Sequence, residues 1–197
     1  QGTLNDPRDE DRGWTVEIAI PWNDLYEHQA QISQDDSPPP TPWRPSEGTT
    51  WRVNFSRVEW DVVIDNGKYR KIPNRPEHNW VWSPQGAIDM HRPEHWGYVQ
   101  FTERPADQAR FVPDPAKPAR QALHRFYYAA HAYRERHGRW PRSWREANLG
   151  ELPAGVRTFR VHTTPILYEA RATVRYPDGS EHVWAMLQDS KVFEVKR

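Results

Sequence analysis

The sequence contains no cysteine among its 197 residues. Disulfide bonds and thiolate metal sites are therefore excluded, although a protein without disulfides can still be secreted. No run approaches the roughly 18 consecutive apolar residues of a membrane-spanning helix. The sequence also lacks a nucleophile elbow, a phosphate-binding P-loop and a glycine-rich dinucleotide turn, which removes the best-marked enzyme classes.

Apolar residues are scarce as well, at 36% of the chain, where about 45–50% is usual for globular domains. Against this stand 11 tryptophans and 19 prolines. We therefore expect burial to rest on a few large aromatic rings.

The formal net charge of zero conceals two oppositely charged segments. Residues 1–104 carry 11 Lys and Arg against 17 Asp and Glu, and residues 105–197 carry 16 against 10. Two segments of opposite sign predict two units, with the basic C-terminal unit docking on the acidic first one. We place the units at 1–104 and 119–197, joined by a proline-rich linker at 105–118.

Short strands with period-two alternation occupy the first segment. Trp14–Ile20 and Trp51–Trp60 alternate polar and apolar side chains, the second with a slip near Arg57 that indicates a bulge. Asp65, Asn66 and Gly67 form a hairpin signal. Further short strands are expected at 80–82 and 97–101. Short strands and many turn residues predict an antiparallel β-sandwich.

In the last segment the apolar residues change from period-two to helical spacing. Leu123, Phe126, Tyr127, Ala130 and Tyr133 fall at helical spacing, and the helix is expected to stop at His137 and Gly138. A second short helix is expected from Ser143 to about Gly150. Strands follow at 156–161, 166–176 and 182–188, with a hairpin turn at 177–179. This unit is predicted to be α+β, one long amphipathic helix on a small antiparallel sheet, so the whole chain is expected to be mainly β.

Four stretches together resemble the C-terminal half of carbohydrate-binding module family 9-like domains. They are GTLND at 2–6, RGWTVEIAIPW at 12–22, WRVNFSRVEW at 51–60 and NWVWSPQGAIDMHRPEHWGYVQF at 79–101. The final unit is similar to C-terminal extensions that follow such domains in bacterial proteins.

The resemblance implies a β-sandwich that binds glycans without cleaving them and takes part in bacterial polysaccharide use. It also implies two aromatic rings that clamp a terminal sugar, calcium in the scaffold, and a secreted, periplasmic or cell-surface location. The family's domain is about twice as long as the matching segment. We therefore expect the sandwich to be incomplete at its N-terminus, with its other half and one clamp ring upstream.

Trp80 and Trp82, with Asn79 beside them, are the candidate carbohydrate-binding residues. The apolar face of a pyranose packs on an indole while its hydroxyls stay free for polar groups. The two indoles share a face if both lie on one strand, where they form either a sugar platform or part of the core. Arg57 and Glu59 are either partners for sugar hydroxyls or a charge pair within the sheet.

Asp6, Asp9 and Asp11 crowd carboxylates into the loop before Trp14, and carboxylate oxygens are the ligands that calcium prefers. Their spacing does not match an EF-hand, so the loop is either a calcium site or a solvated acidic turn. No other cofactor is expected. His91 and His95 have metal-pair spacing on a helix, but Pro93 between them disfavours that helix.

Neither nucleic-acid binding nor catalysis is predicted. Arg134, Arg136, Arg139, Arg142 and Arg145 make the last unit basic, but acidic residues interrupt them and no nucleic-acid motif accompanies them. Glu17 and Glu59 could form a hydrolase pair only across a cleft that the sequence does not indicate.

Three hypotheses remain open. The first is a non-catalytic module that binds oligo- or polysaccharides. The second is a structural or interaction module without a sugar site, and the third is an accessory portion of a glycoside hydrolase whose catalytic unit lies outside this chain.

Overall fold

The computed structural model describes residues 2–25 and 43–196. The chain divides into two compact units between Ala109 and Arg110, inside the predicted linker. The described residues are mainly β, with one long helix. None of the helices within 2–25 and 43–196 combines the length and apolarity needed to cross a lipid bilayer.

The first unit is built on nested antiparallel strand pairs. β1 (Thr50–Val53) pairs with β6 (Gly97–Gln100), β2 (Ser56–Glu59) with β5 (His78–Val81), and β3 (Val62–Asp65) with β4 (Lys68–Lys71). Each pair lies inside the previous one along the sequence, so residues 48–101 form one long two-stranded ribbon. The ribbon is the part of the first unit that positions the candidate site.

The tip of the ribbon follows the sequence prediction. Asn66 and Gly67 have φ values of 51° and 72° between β3 and β4, and two residues with positive φ suit the twist of a tight hairpin. The predicted 80–82 strand is found as β5, and the predicted 97–101 strand as β6.

We call residues 48–65 the outgoing arm of the ribbon and residues 68–101 the returning arm. Both arms are interrupted between their strands, and the longer interruptions, which we call excursions, lie in the returning arm. Opposite residues 54–55 of the outgoing arm, the returning arm makes a long excursion through residues 82–96. Opposite residues 60–61 it makes a short excursion through residues 72–77. The ladder continues at both breaks, since Trp82 N donates to Phe55 O and Ile72 N donates to Asp61 O, each at 2.9 Å. The predicted 51–60 strand is therefore broken at 54–55, and the predicted slip near Arg57 was wrong.

The predicted strand at Trp14–Ile20 was also wrong, because these residues join no described sheet. Val16, Ile18 and Ile20 are instead exposed, Ile18 at 69%. Alternation alone does not make a strand, since a strand needs a neighbour that supplies backbone partners. In the described part of the first unit no apolar residue is buried, and three strand pairs do not by themselves establish a sandwich.

The second unit places one helix on a four-stranded antiparallel sheet. Helix α1 runs from Lys117 to His137. The strands are β7 (Val156–Thr163), β8 (Tyr168–Arg175), β9 (Glu181–Leu187) and β10 (Val192–Glu194), in the spatial order β10-β9-β8-β7. The core lies between the helix and one face of the sheet, where Phe126, Leu123, Val174 and Met186 are all buried.

Helix α1 confirms the periodicity read from the sequence. Leu123, Phe126, Ala130 and Tyr133 are buried. The helix ends at Gly138, which has a φ of 69° and donates its N–H to Arg134 O at 2.8 Å. A left-handed residue is needed at this position, and glycine adopts that conformation without steric cost.

Residues 139–149 form turns rather than the short helix expected from Ser143. The cap itself is present, because Ser143 Oγ accepts the Glu146 N–H at 3.1 Å. The chain is held instead by the Glu146 carboxylate, which accepts from Arg139 Nη2 and Arg142 N at 2.5 Å each and from Tyr133 OH at 2.9 Å. The hydrogen bonds from Arg139 and from Arg142 N lower the pKa of Glu146 to about 2.

We predict that Glu146→Gln lowers the melting temperature at pH 7, with a loss of about 1–2 kcal/mol for weaker hydrogen bonds to an uncharged acceptor. The pKa in the folded protein lies below the ordinary 4.5. The carboxylate therefore stabilises the fold fully above pH 4.5, and this contribution disappears as the pH falls towards 2. Thermal unfolding at pH 7 and pH 3 measures both effects, with exposed Glu135→Gln as the control. Equal melting temperatures for Glu146→Gln and wild type at pH 7 would contradict the assignment.

Candidate functional site

The β2–β5 pair sorts the predicted site residues onto two opposite faces. Its register places Arg57 opposite Trp80 and Glu59 opposite His78. Directly opposed residues of an antiparallel pair share a face, and successive residues alternate between faces. We call the surface of Arg57, Glu59, His78 and Trp80 the Arg57 face. Asn79 therefore lies on the reverse side, and the structure separates it from Trp80.

The Arg57 face presents an exposed indole beside an ion pair. The Trp80 side chain is 63% exposed. On the neighbouring strand Arg57 Nη2 donates to Glu59 Oε2, so these two residues pair with each other. Arg57 and Glu59 also line an open depression of about 690 Å³ with Arg12 and Trp14. Trp80 lies opposite Arg57 across the ladder, and Trp14 lines the same depression as Arg57.

His78, at the end of this face, anchors the short excursion. The Asp61 carboxylate accepts from Arg75 Nη1 at 3.0 Å and lies 3.3 Å from His78 Nε2. Hydrogen bonds from Arg75 and His78 lower the pKa of Asp61. These contacts bridge both arms of the ribbon next to the candidate site.

Trp82, the second predicted platform residue, is 55% exposed, and its N–H continues the β2–β5 ladder, so by alternation it lies on the same face as Trp80. It follows the last residue of β5. A Cβ added at Gly97 would lie 2.4 Å from the Trp82 ring, and the Phe55 ring centroid is 5.7 Å from that of Trp82. The Trp82 indole therefore lies across β6 and joins the start of the long excursion to the ribbon.

Three further contacts fix the long excursion. The Asn54 side chain both donates to Ser83 O at 3.0 Å and accepts from Ser83 N at 2.9 Å. Ser83 Oγ donates to His95 O at 2.6 Å, and Arg52 Nη1 donates to Glu94 O at 2.9 Å. The excursion contains the short 3₁₀ helix Pro93–His95, which directly precedes β6.

The reverse side of β2–β5 carries a second concavity, which we call the Gln85 pocket. Val58, Asn79 and Val81 form its floor. The side walls are Pro76 and Glu77 of the short excursion and residues of the long one, around a volume of about 780 Å³. The remaining lining residues are Trp60, Gln85, Ala87, Ile88, Asp89 and Met90.

Gln85 is the residue of this site that sequence reasoning missed. It is 6% exposed, and it is the single buried residue among 2–25 and 43–109. Its Nε2 has no hydrogen-bond partner. A glutamine in a polar loop gives no sequence signal of burial, because its environment depends on how two excursions fold over the ribbon.

Two of the three candidate calcium ligands, Asp6 and Asp9, have separate partners. Asp6 pairs with Arg8, whose hydrogen bonds lower the pKa of Asp6. Asp9 accepts from Thr3 N at 2.9 Å. Asp11 lines the depression of the Arg57 face. Within the described ranges no group of three or more His, Cys, Asp or Glu is arranged to hold a metal; calcium stays a prediction that nothing in the structure tests.

A serine–histidine–glutamate chain occurs in the second unit. Ser180 Oγ lies 2.8 Å from His182 Nε2, and His182 Nδ1 contacts Glu194 Oε1. However, Ser180 Oγ also lies 2.5 Å from Asp178 Oδ1, and the same carboxylate oxygen accepts the Ser180 backbone N–H. The N–H of Gly179 is bonded to Tyr176 O. Both amides next to the hydroxyl are therefore used within the turn, and we interpret the chain as a brace between the β8–β9 hairpin and β10.

Comparison with known proteins adds no relative: no family model, no curated protein and no solved structure matches this chain. The resemblance to family 9-like modules therefore stays a prediction. Function has to be inferred from the two concave sites themselves.

We predict that Gly97→Ala destabilises the first unit, because the new Cβ would overlap the Trp82 ring and displace it from β6. Thermal unfolding followed by tryptophan fluorescence should show a lower midpoint and an altered spectrum. Gly150→Ala is the matched control, since a Cβ at Gly150 meets nothing within 4 Å. An unchanged midpoint for Gly97→Ala would show that Trp82 does not anchor the excursion.

Proposed function

We propose that the first unit binds glycans without cleaving them and that the Arg57 face is its binding surface. The observation that supports this most is the exposed Trp80 ring, directly opposite Arg57 and beside the Arg57–Glu59 pair. An indole offers a flat apolar surface to the CH face of a sugar. The neighbouring guanidinium and carboxylate supply a donor and an acceptor for its hydroxyls.

Trp14 is a candidate for the second stacking ring. It is 63% exposed and lines the depression with Arg57 and Glu59. Family 9-like modules clamp sugars between two rings, and we expected the partner ring upstream. In our proposal Trp14 takes that place, so a two-ring site is formed by residues of this chain alone.

Modest affinity is part of the proposal. The depression is open, and exposed ion pairs such as Arg57–Glu59 contribute little net energy. Stacking on Trp80 must therefore supply much of the binding free energy.

The proposal includes a β-sandwich architecture for the first unit. Exposed apolar side chains at Val16, Ile18 and Ile20, and at Val62 and Ile64 of β3, are the ones that a second layer would cover. Participation in bacterial polysaccharide use at the cell surface, in the periplasm or outside the cell belongs to the same proposal. The proposal also includes a role for the chain as an accessory portion of a glycoside hydrolase.

One observation favours a second function, that of an interaction module. The same segments expose several large apolar side chains each, and clusters of exposed apolar side chains commonly mark protein contacts. Absence of sugar binding together with concentration-dependent sedimentation of the chain would favour this alternative.

Isothermal titration of the full chain with gluco- and xylo-oligosaccharides tests the glycan proposal. We expect heat of binding at up to millimolar ligand, and about tenfold weaker binding for Trp80→Ala, because the stacking surface is lost. Trp14→Ala should also weaken binding, and Glu59→Gln should do so without loss of either ring.

Tyr69→Ala is the control for loss of an exposed aromatic, since Tyr69 lies on β4, away from both concave sites. It should bind as the wild type does. No heat with any of these oligosaccharides, or equal binding by wild type and Trp80→Ala, would rule out the Arg57 face as the sugar site.

A further inference from the structure

The Gln85 pocket is a ready-made concavity on the side of the ribbon opposite Trp80. Its volume of about 780 Å³ falls within the 300–1,000 Å³ typical of small-molecule sites. Its floor is a strand pair and its walls are tied down at Asn54, Ser83 and Asp61. The pocket therefore exists before a ligand arrives, so that little ordering free energy is lost on binding.

Gln85 supplies the strongest indication of a ligand. Its side chain is almost wholly buried, and its Nε2 carries two N–H groups without a protein acceptor. Buried polar groups are nearly always hydrogen-bonded, because an unpaired one loses its hydration without compensation. Gln85 lines the pocket, and because its Nε2 has almost no accessible surface, the amide must turn towards the pocket to meet an acceptor that enters from there.

Acceptors for a ligand's own donor lie across the same pocket. Asn79 Nδ2 is 3.5 Å from Glu77 Oε1, which directs the Asn79 amide towards the Glu77 carboxylate. Hydrogen bonds from the backbone N–H of Glu77 and from Asn79 lower the pKa of Glu77, so the carboxylate is charged at neutral pH. A ligand N–H or O–H at this wall would meet carboxylate and amide oxygens.

Apart from Asp89, the rest of the lining is apolar and open to solvent. Ile88 is fully exposed, and Met90 and the Trp60 indole are about half exposed. Lys71 Nζ lies 4.7 Å from the centroid of the Trp60 ring, which fixes the position of the indole. A methyl group or a sugar face placed here would bury apolar surface that now faces water.

We propose that the Gln85 pocket binds the acetamido group of an N-acetylated sugar. Such a group carries one carbonyl acceptor for Gln85 Nε2, one N–H donor for the Glu77–Asn79 wall, and one methyl group for Ile88 and Met90. The proposal rests on the proposed function for the expectation that the ligand is a glycan. It uses a different face, a different indole and a different chemical feature of the sugar.

The test is isothermal titration of the full chain with tri-N-acetylchitotriose, cellotriose and chitotriose, three oligomers of equal length. We expect the acetylated trimer to bind about tenfold more tightly than cellotriose, because neither cellotriose nor the deacetylated trimer offers Gln85 a carbonyl acceptor. Gln85→Met keeps the length of the side chain and removes the donor, and this variant should bind the acetylated trimer and cellotriose equally. Ala87→Leu, which fills the pocket without changing Gln85, should also abolish the preference.

Folding defects are separable from loss of binding in this design. Gln85→Met removes an unsatisfied buried donor, so its melting temperature should equal or exceed that of the wild type. An acetamido preference that survives in Gln85→Met would overturn the proposal. So would a wild-type protein that binds cellotriose and the acetylated trimer equally well.

Trp80→Ala distinguishes this proposal from the glycan site on the Arg57 face. It should weaken cellotriose binding and leave binding of the acetylated trimer nearly unchanged. A preference for the acetylated trimer that is lost in Gln85→Met but kept in Trp80→Ala supports the Gln85 pocket even if the Arg57 face binds nothing. Loss of binding of the acetylated trimer in Trp80→Ala would place that ligand on the Arg57 face and reject the pocket.

Discussion

The antiparallel ladder between residues 48–65 and 68–101 positions most of the side chains of both proposed sites. It begins with the hydrogen bond from Gly48 N to Phe101 O and ends at the Asn66–Gly67 turn. Because opposed residues share a face, the register of this ladder decides which side chains meet. A shift of one residue would exchange Trp80 with Asn79 and replace the indole beside Arg57 by an amide.

The two units obtain their stability in different ways. In the second unit Phe126, Leu123 and Met186 lie between a helix and a sheet, which is the usual source of stability in a small domain. The described part of the first unit buries no apolar side chain. Two-stranded ribbons are only marginally stable alone, so hydrogen bonds and ring contacts across the excursions, such as Asn54–Ser83 and Trp82–Gly97, carry more weight there.

Sequence reasoning succeeded where local pattern decides the structure. Helix α1 follows from the spacing of Leu123, Phe126 and Ala130, and its end follows from Gly138, because helix periodicity and caps act within a few residues. The Asn66–Gly67 hairpin is local in the same sense. The register places Trp80 and Arg57, two of the predicted site residues, on one face of the ribbon, and their role in sugar binding stays a prediction.

The failures share a physical cause, which is dependence on distant partners. The 14–20 segment alternates like a strand but has no described neighbour, and strand 51–60 breaks where the returning arm makes its long excursion. Asn79 and Trp80 lie on opposite faces of β5, because the side chains of adjacent strand residues point in opposite directions. Gln85 is buried beside a pocket that both excursions and the Val58–Val81 face line, so its burial was not visible in the sequence.

The excursions and the Arg57–Glu59 pair limit where a second sheet could pack. A second sheet on the Val58–Val81 face would have to displace the excursions. A second sheet on the Arg57 face would have to bury the Arg57–Glu59 charges at a large desolvation cost. A second layer is therefore compatible with both proposed sites only if it packs elsewhere, against the exposed apolar residues at 16–20 or on β3.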